Sequence, residues 1–378
     1  MIRARRGLGA VLVAAPLLMA ASAPTPPAGF ASGVNGLPRG LETTLDDAQA
    51  VGFDAVRIFL SWDKIERVEG APDWTCKYLN AIDRGPDVDG DGKRDPWPGI
   101  PCDGTPCGCG YSADERVAMV AGEPRRLPLL ITLVGTPAWA RGRAAPHCPR
   151  GVPPGALPLR PSKITAFRNF AGAAARRYGG VAYAFGLWNE PDLAGCESWA
   201  GTAQQFKEQI LAAADAVKRE AISPGLVVAP TLESPSAGAM EAWMDWSRPV
   251  DLLSFNLYVT SLGAGLGKID EMSAWCLNDS RCPGFYITEF GAHRGGASNC
   301  PGPRVDSPGA ADLAIMRRCR ARRSCAGFFL YRLTDQERPR CNRGLFDVRG
   351  CRKYRLCEIA ERFFGRTLLP FACRGCGP

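Results

Sequence analysis

The chain has 378 residues, with 46 lysines and arginines against 38 acids, sixteen cysteines and only two histidines, His147 and His293. A formal charge of +8 without a dense basic block argues against a nucleic-acid partner, and two histidines supply no ligand cluster of the kind that metal-dependent hydrolases use. The large, even cysteine count fits an oxidising compartment, where thiols pair, better than a reducing cytosol.

In chain order, MIRARR, the apolar run from Gly7 to Ala20 and the small residues Ala21-Ser22-Ala23 have the three-part layout of a secretory signal. The apolar run is short for a spanning helix, which needs roughly 20 residues, and it contains Pro16. The expectation is therefore a signal peptide over 1–23, a secreted or periplasmic protein, and no stable membrane insertion. Removing that segment takes away Arg3, Arg5 and Arg6 and lowers the charge to +5. What remains suits one domain, 24–378, expected to be monomeric.

From Phe30 onward short apolar runs alternate with helical stretches, the signature of repeated βα units. The runs predict strands at 30–34, 55–60, 127–134, 182–187, 226–230, 252–257, 285–288 and 326–331, several of them apolar on both faces, as in a covered parallel sheet. Helices are predicted at 41–51, 113–121, 163–178, 203–221, 237–246, 309–322 and 353–364, with none between the sixth and seventh strands. Eight strands favour an α/β architecture closed into a (β/α)8 TIM barrel, with long loop insertions after strands 2 and 3, at 63–110 and 141–160. Loops after strands form the catalytic face of such a barrel, so these insertions are expected to wall a substrate cleft.

Two of the strands end in carboxylates. Gly186-Leu187-Trp188-Asn189-Glu190-Pro191 closes the fourth, and Phe285-Tyr286-Ile287-Thr288-Glu289-Phe290-Gly291 the seventh. Acids at the ends of separate barrel strands suit glycoside cleavage, one protonating the leaving oxygen while the other attacks the anomeric carbon. Singly, each has a plainer explanation, a helix cap for Asn189-Glu190 and an ion pair for Glu289 or Arg57. Their joint placement favours chemistry.

With these residues in view, the chain resembles the glycoside hydrolases of clan A, most closely the cellulase-like family 5 and xylosidase-like family 39 groups. The resemblance rests on the Asn-Glu-Pro after strand 4, the Glu after strand 7, Arg57 in strand 2, Thr136-Pro137-Ala138-Trp139 after strand 3, Tyr258 after strand 6 and Gly344-Leu345-Phe346-Asp347 after strand 8. It implies Glu190 as general acid/base and Glu289 as nucleophile of a retaining O-glycoside hydrolase acting on β-linked poly- or oligosaccharides, with no cofactor in the chemistry. It further implies that Arg57 and Tyr258 orient Glu289 and that Asn189 binds the hydroxyl beside the anomeric carbon. Asn256 stands where family 5 usually has His, and the aromatic run Phe328-Phe329-Leu330-Tyr331 where it has Trp. Trp139 and Trp188 offer ring faces for sugar stacking, with core packing as the competing use of any tryptophan. A barrel that binds carbohydrate without cleaving it is the alternative function.

Within the first insertion, Asp87, Asp89, Asp91 and Asp95, with Gly90 and Gly92 between, reproduce the first half of an EF-hand-type loop and predict a structural calcium. Pro98 occupies the place of the bidentate Glu, so further ligands would come from backbone or water. Cys276–Cys282 and Cys341–Cys351 are plausible local disulfides and Cys148–Cys196 a bridge between neighbouring loops, while Cys373 and Cys376 form the single C-x-x-C.

Overall fold

Successive side chains along a strand point to opposite faces, and the computed structural model of the protein shows how eight strands covered on both faces close. It describes residues 30–35, 42–78, 110–122, 125–222, 225–258, 261–291, 308–331 and 354–366. The strands are β1 (Ala31–Asn35), β2 (Ala55–Ser61), β3 (Leu129–Val134), β4 (Ala182–Leu187), β5 (Leu226–Leu232), β6 (Leu252–Leu257), β7 (Phe285–Phe290) and β8 (Cys325–Leu330). Each pairs in parallel with the next, and β8 pairs with β1, giving a closed barrel in sequence order.

The helices are α1 (Glu42–Val51), α2 (Ala113–Ala121), α3 (Ala166–Tyr178), α4 in three pieces (Ala203–Phe206, a π turn over Lys207–Leu211, and Ala213–Glu220), α5 (Ala237–Trp243), α6 (Leu262–Asn278), α7 (Pro308–Arg320) and α8 (Tyr354–Arg362). Capping boxes start α2 and α4: Ser112 accepts from the Glu115 amide while Glu115 accepts from Ser112, and Thr202 and Gln205 do the same. The helix α6 departs from the sequence expectation. Gly263, Gly265 and Gly267 in its first two turns cost roughly 1 kcal/mol each against Ala and mask the helical pattern. Ser261 supplies a side-chain cap, and Ile269 and Met272, both buried, anchor the helix to the core.

Two apolar layers result. A small inner one, including Ala31, Ala55, Leu130, Tyr183, Leu252, Tyr286 and Phe329, plugs the barrel interior, and a large outer one lies between sheet and helices. Gly33 belongs to this plug, since a Cβ there would lie 2.3 Å from the Phe329 ring. Outside the sheet, ring contacts run from Trp74 and Trp62 through Phe170 and Phe167 to Trp188, Trp199, Phe206 and Trp243. This aromatic chain underlies the loops that follow β2 to β5.

Three disulfides lie among the described residues: Cys148–Cys196, Cys276–Cys282 and Cys319–Cys325. The third, which closes the turn between α7 and β8, was not foreseen, and Cys76 is bridged as well. The expected Cys341–Cys351 pair, most of the 63–110 insertion with Asp87, Asp89, Asp91 and Asp95, the 1–23 segment and Gly344 to Asp347 lie outside the described residues. Among those described, no helix is long and apolar enough to cross a membrane.

Candidate active site

Above the apolar plug the barrel interior turns polar, and its centre is Arg57. Along β2 alternate residues point inward, so Ala55, Arg57 and Phe59 share the interior while Val56, Ile58 and Leu60 join the outer layer. Arg57 is fully buried, and every guanidinium nitrogen is engaged. Nε donates to Thr132 Oγ1 at 3.0 Å, Nη1 to Glu289 Oε1 at 2.7 Å, and Nη2 to Asn189 Oδ1 at 2.8 Å and Thr231 Oγ1 at 3.1 Å. Phe59 lies under the cation, 4.5 Å from ring centre to guanidinium carbon. Burial opposes the charge on Arg57; Glu289 and, further off, Glu190 support it. Asn35 at the end of β1 ties the frame together, donating to the carbonyls of Thr288 at 2.7 Å and Phe329 at 3.2 Å.

Glu289 is brought inward by a break in alternation. In β7, Tyr286 faces the interior and Ile287 the outer layer, so a regular strand would turn Glu289 outward. The pairing with β6 shifts there: Phe255 opposes Ile287, but the next residue, Asn256, opposes Glu289. The extra residue is Thr288, and this bulge lets Thr288 and Glu289 both face the interior and returns Phe290 to the outer layer. Glu289, 7% exposed, accepts from Arg57 on one oxygen and from Tyr258 Oη at 2.9 Å on the other.

Glu190 is placed by a second break. Trp188 (φ 81°) and Glu190 (φ 49°) both occupy the left-handed region that side chains other than glycine avoid. At Trp188 this reverses the parity of β4, sending the indole into the outer layer and Asn189 in toward Arg57. A residue so placed costs about 1–2 kcal/mol, whereas burying roughly 200 Å² of tryptophan contributes about 5 kcal/mol, so the packing prevails. Backbone bonds lock the turn: Trp188 N donates to Leu133 O at 3.0 Å and Glu190 N to Thr231 O at 2.6 Å. Two residues on, the Asp192 carboxylate accepts from the amides of Glu233 and Ser234, tying this loop to the end of β5.

The Glu190 carboxyl accepts from Asn256 Nδ2 at 2.6 Å. Burial, then the charge of Glu289, push its pKa up to about 7, with Asn256 and Arg57 acting in the opposite direction. An acid that holds its proton near neutrality, facing a carboxylate gripped by two donors, can divide proton donation and nucleophilic attack between them.

Glu190, Glu289, Arg57, Asn189 and Tyr258 thus converge on one site. Trp188 does not join it: the ring is 2% exposed, packed edge-on against Phe167 and Trp199, with Nε1 donating to Ser198 O at 2.9 Å. It has no face left for a sugar, and the reversed parity at its backbone is the reason. Trp139 remains half-buried after β3, its Nε1 bonded to Glu66 O at 2.8 Å and its ring edge-on to Trp62. Asn256 was noted only as a departure from the family 5 His, and Thr231, Thr288, Thr132 and Asn35 were not singled out for the site; each is a polar residue within a buried strand, and that interruption was the available signal. Among the described residues one group has metal-ligand spacing, His147 with Cys148 and Cys196, but the two sulfurs share a disulfide.

No family model matches the chain, and no curated protein matches it in sequence. Solved structures do match in shape. The exo-β-1,4-mannosidase Op5Man5 from Opitutaceae bacterium strain TAV5 superposes with a TM-score of 0.55 at 16% identity, over 88% of this chain and 58% of that one. A GH5_18 protein from Bifidobacterium longum subsp. longum gives 0.55 at 15% identity, over 90% and 80%. A family 39 glycoside hydrolase from Bacteroides cellulosilyticus WH2 gives 0.51 at 15% identity, over 84% and 59%. The fold is shared with these glycoside hydrolases. This chain spans less than two thirds of the length of the first and third, and identities this low speak to fold alone.

Proposed function

We propose that the protein is a retaining O-glycoside hydrolase that cleaves β-glycosidic bonds in poly- or oligosaccharides, with Glu190 as general acid/base and Glu289 as nucleophile. The observation that carries this reading is the asymmetric acid pair: two carboxyls in one buried polar layer, one held by Arg57 and Tyr258, the other pushed toward neutrality. Protonated Glu190 gives its proton to the leaving oxygen as Glu289 attacks the anomeric carbon. Water then releases the sugar, its proton passing to Glu190 and the electron pair of the glycosyl bond returning to Glu289. The nearness of the pair supports direct attack: Asn256, which touches Glu190, lies opposite Glu289 in the sheet, and the charge of Glu289 is the largest influence on Glu190 after burial. Among solved proteins of this fold, one is named for exo-β-1,4-mannosidase activity and a GH5_18 variant was solved with Manβ1-4GlcNAc, so mannosides lead the substrates to try. The chemistry needs no cofactor. The signal-like first 23 residues and the disulfides support an exported protein.

The test is turnover of aryl β-mannosides, glucosides, xylosides and galactosides, with matching polysaccharides, by the wild type and by both Glu→Gln variants. Glu289→Gln should lose activity on every substrate. Glu190→Gln should keep the first step for aryl glycosides with good leaving groups, which need no proton, and should accumulate a covalent intermediate. Undiminished turnover by Glu289→Gln would sink the assignment, and binding without turnover by the wild type would favour the non-catalytic barrel.

A further inference from the structure

Asn256 is fully buried at the end of β6 and spends its amide on the catalytic acid. Its Nδ2 donates to Glu190 Oε1 at 2.6 Å, and its Oδ1 lies 3.3 Å from Thr288 Oγ1. The reverse orientation would set an amide oxygen 2.6 Å from a carboxylate oxygen with no proton between them, so an ionised Glu190 selects the donor end. The other charged groups facing Glu190 are Glu289 from β7, Arg57 from β2 and Glu233 from the end of β5. Tyr258, the neighbouring phenol from the end of β6, is bonded to Glu289. Burial and the two acids oppose ionisation of Glu190; Asn256 leads the groups that support it.

We propose that Asn256 is a positioning residue that holds Glu190 as a carboxylate for the second half of the reaction, when Glu190 must take a proton from water. The inference rests on the two-acid reading above. In that half-reaction water oxygen bonds to the anomeric carbon, the bond from that carbon to Glu289 breaks with its electron pair returning to Glu289, and the proton released by water goes to Glu190. Asn256 transfers nothing; it fixes the rotamer of the base and stabilises its charge. An amide does this without titrating in the working pH range, so the hydrogen bond adds no ionisation of its own.

The experiment is carbon-13 NMR of protein labelled at the glutamate side-chain carboxyl, with the Glu190 signal assigned by its loss in Glu190→Gln. Its midpoint is followed in the wild type, in Asn256→Leu and, in case the larger side chain disturbs the core, in Asn256→Ala. Losing a charge-assisted donor should make Glu190 a weaker acid by about threefold to tenfold, an upward move of at least ~0.5 pH unit. On an aryl β-glycoside the same variants should lose kcat more than kcat/KM, with KM falling, because the covalent intermediate accumulates. A smaller or downward move in a folded variant overturns the assignment of Asn256. The NMR needs no substrate, so the two readings fail separately: a moved midpoint in a wild type that cleaves no glycoside overturns the glycosidase reading and the half-reaction with it, while an unmoved midpoint in an active enzyme overturns the role of Asn256 alone.

Discussion

Glu190 ties the proposed catalysis, and the stability of the fold, to pH through one property, a folded-state pKa raised to about 7 from an ordinary 4.5. In its proposed role of general acid it must carry its proton, so kcat/KM for a substrate with a poor leaving group should fall as pH rises through about 7. The stability sign follows from the same shift. The folded state binds this proton more tightly than the unfolded chain, so the contribution is fully present below about pH 4.5 and lost as pH rises through about 7, a change of roughly 3 kcal/mol. Glu190→Gln, which keeps an acceptor for Asn256 and discards the charge, should therefore melt higher than the wild type at pH 8 and nearly with it at pH 4.5. Thermal melts across that range check this, and a constant difference between the two proteins would show that Glu190 titrates as an exposed carboxylate does.

At the scale of elements, strand positions were legible because buried parallel strands are continuous apolar runs, and the two acids because they interrupt such runs. The irregularities that aim them were not. Nothing in Thr288-Glu289 announces a bulge, and Trp188-Asn189 gives no sign of a left-handed residue, since both depend on what the neighbouring strands and the aromatic layer demand. Strict alternation would put Trp188 inside and Asn189 outside, so the expected stacking role of Trp188 failed where the backbone departs from it. The three glycines of α6 hid a seventeen-residue helix for the complementary reason, tertiary burial outweighing local propensity. The Cys148–Cys196 bridge joins the loop after β3 to the loop carrying Glu190, across 48 residues of sequence. Replacing both cysteines by Ala should cost about 2–4 kcal/mol of stability and lower kcat through a looser Glu190 loop. Denaturant melts and steady-state kinetics measure both, and an unchanged midpoint would deny the bridge a structural role.

For the molecule as a whole, closure of the barrel brings the ends of β2, β4, β6 and β7 to one mouth, which is why residues as distant in sequence as Arg57 and Glu289 meet. The segment 87–95, which lies outside the described residues, is proposed to hold a structural calcium, because in sequence it falls within the insertion after the second strand and away from the residues that bear the acids. Chelation should then lower the melting temperature, and metal analysis should find one calcium per chain. EDTA without effect on the melt would dismiss it.

Attack by Glu289 with Glu190 as its acid/base partner can be read out by proton NMR of the first-formed sugar during hydrolysis of whichever aryl β-glycoside the enzyme accepts. Two successive displacements at one carbon should release the β-anomer first, with the α-anomer growing in only by mutarotation. Initial release of the α-anomer would mean a single displacement by water and no glycosyl-enzyme at Glu289.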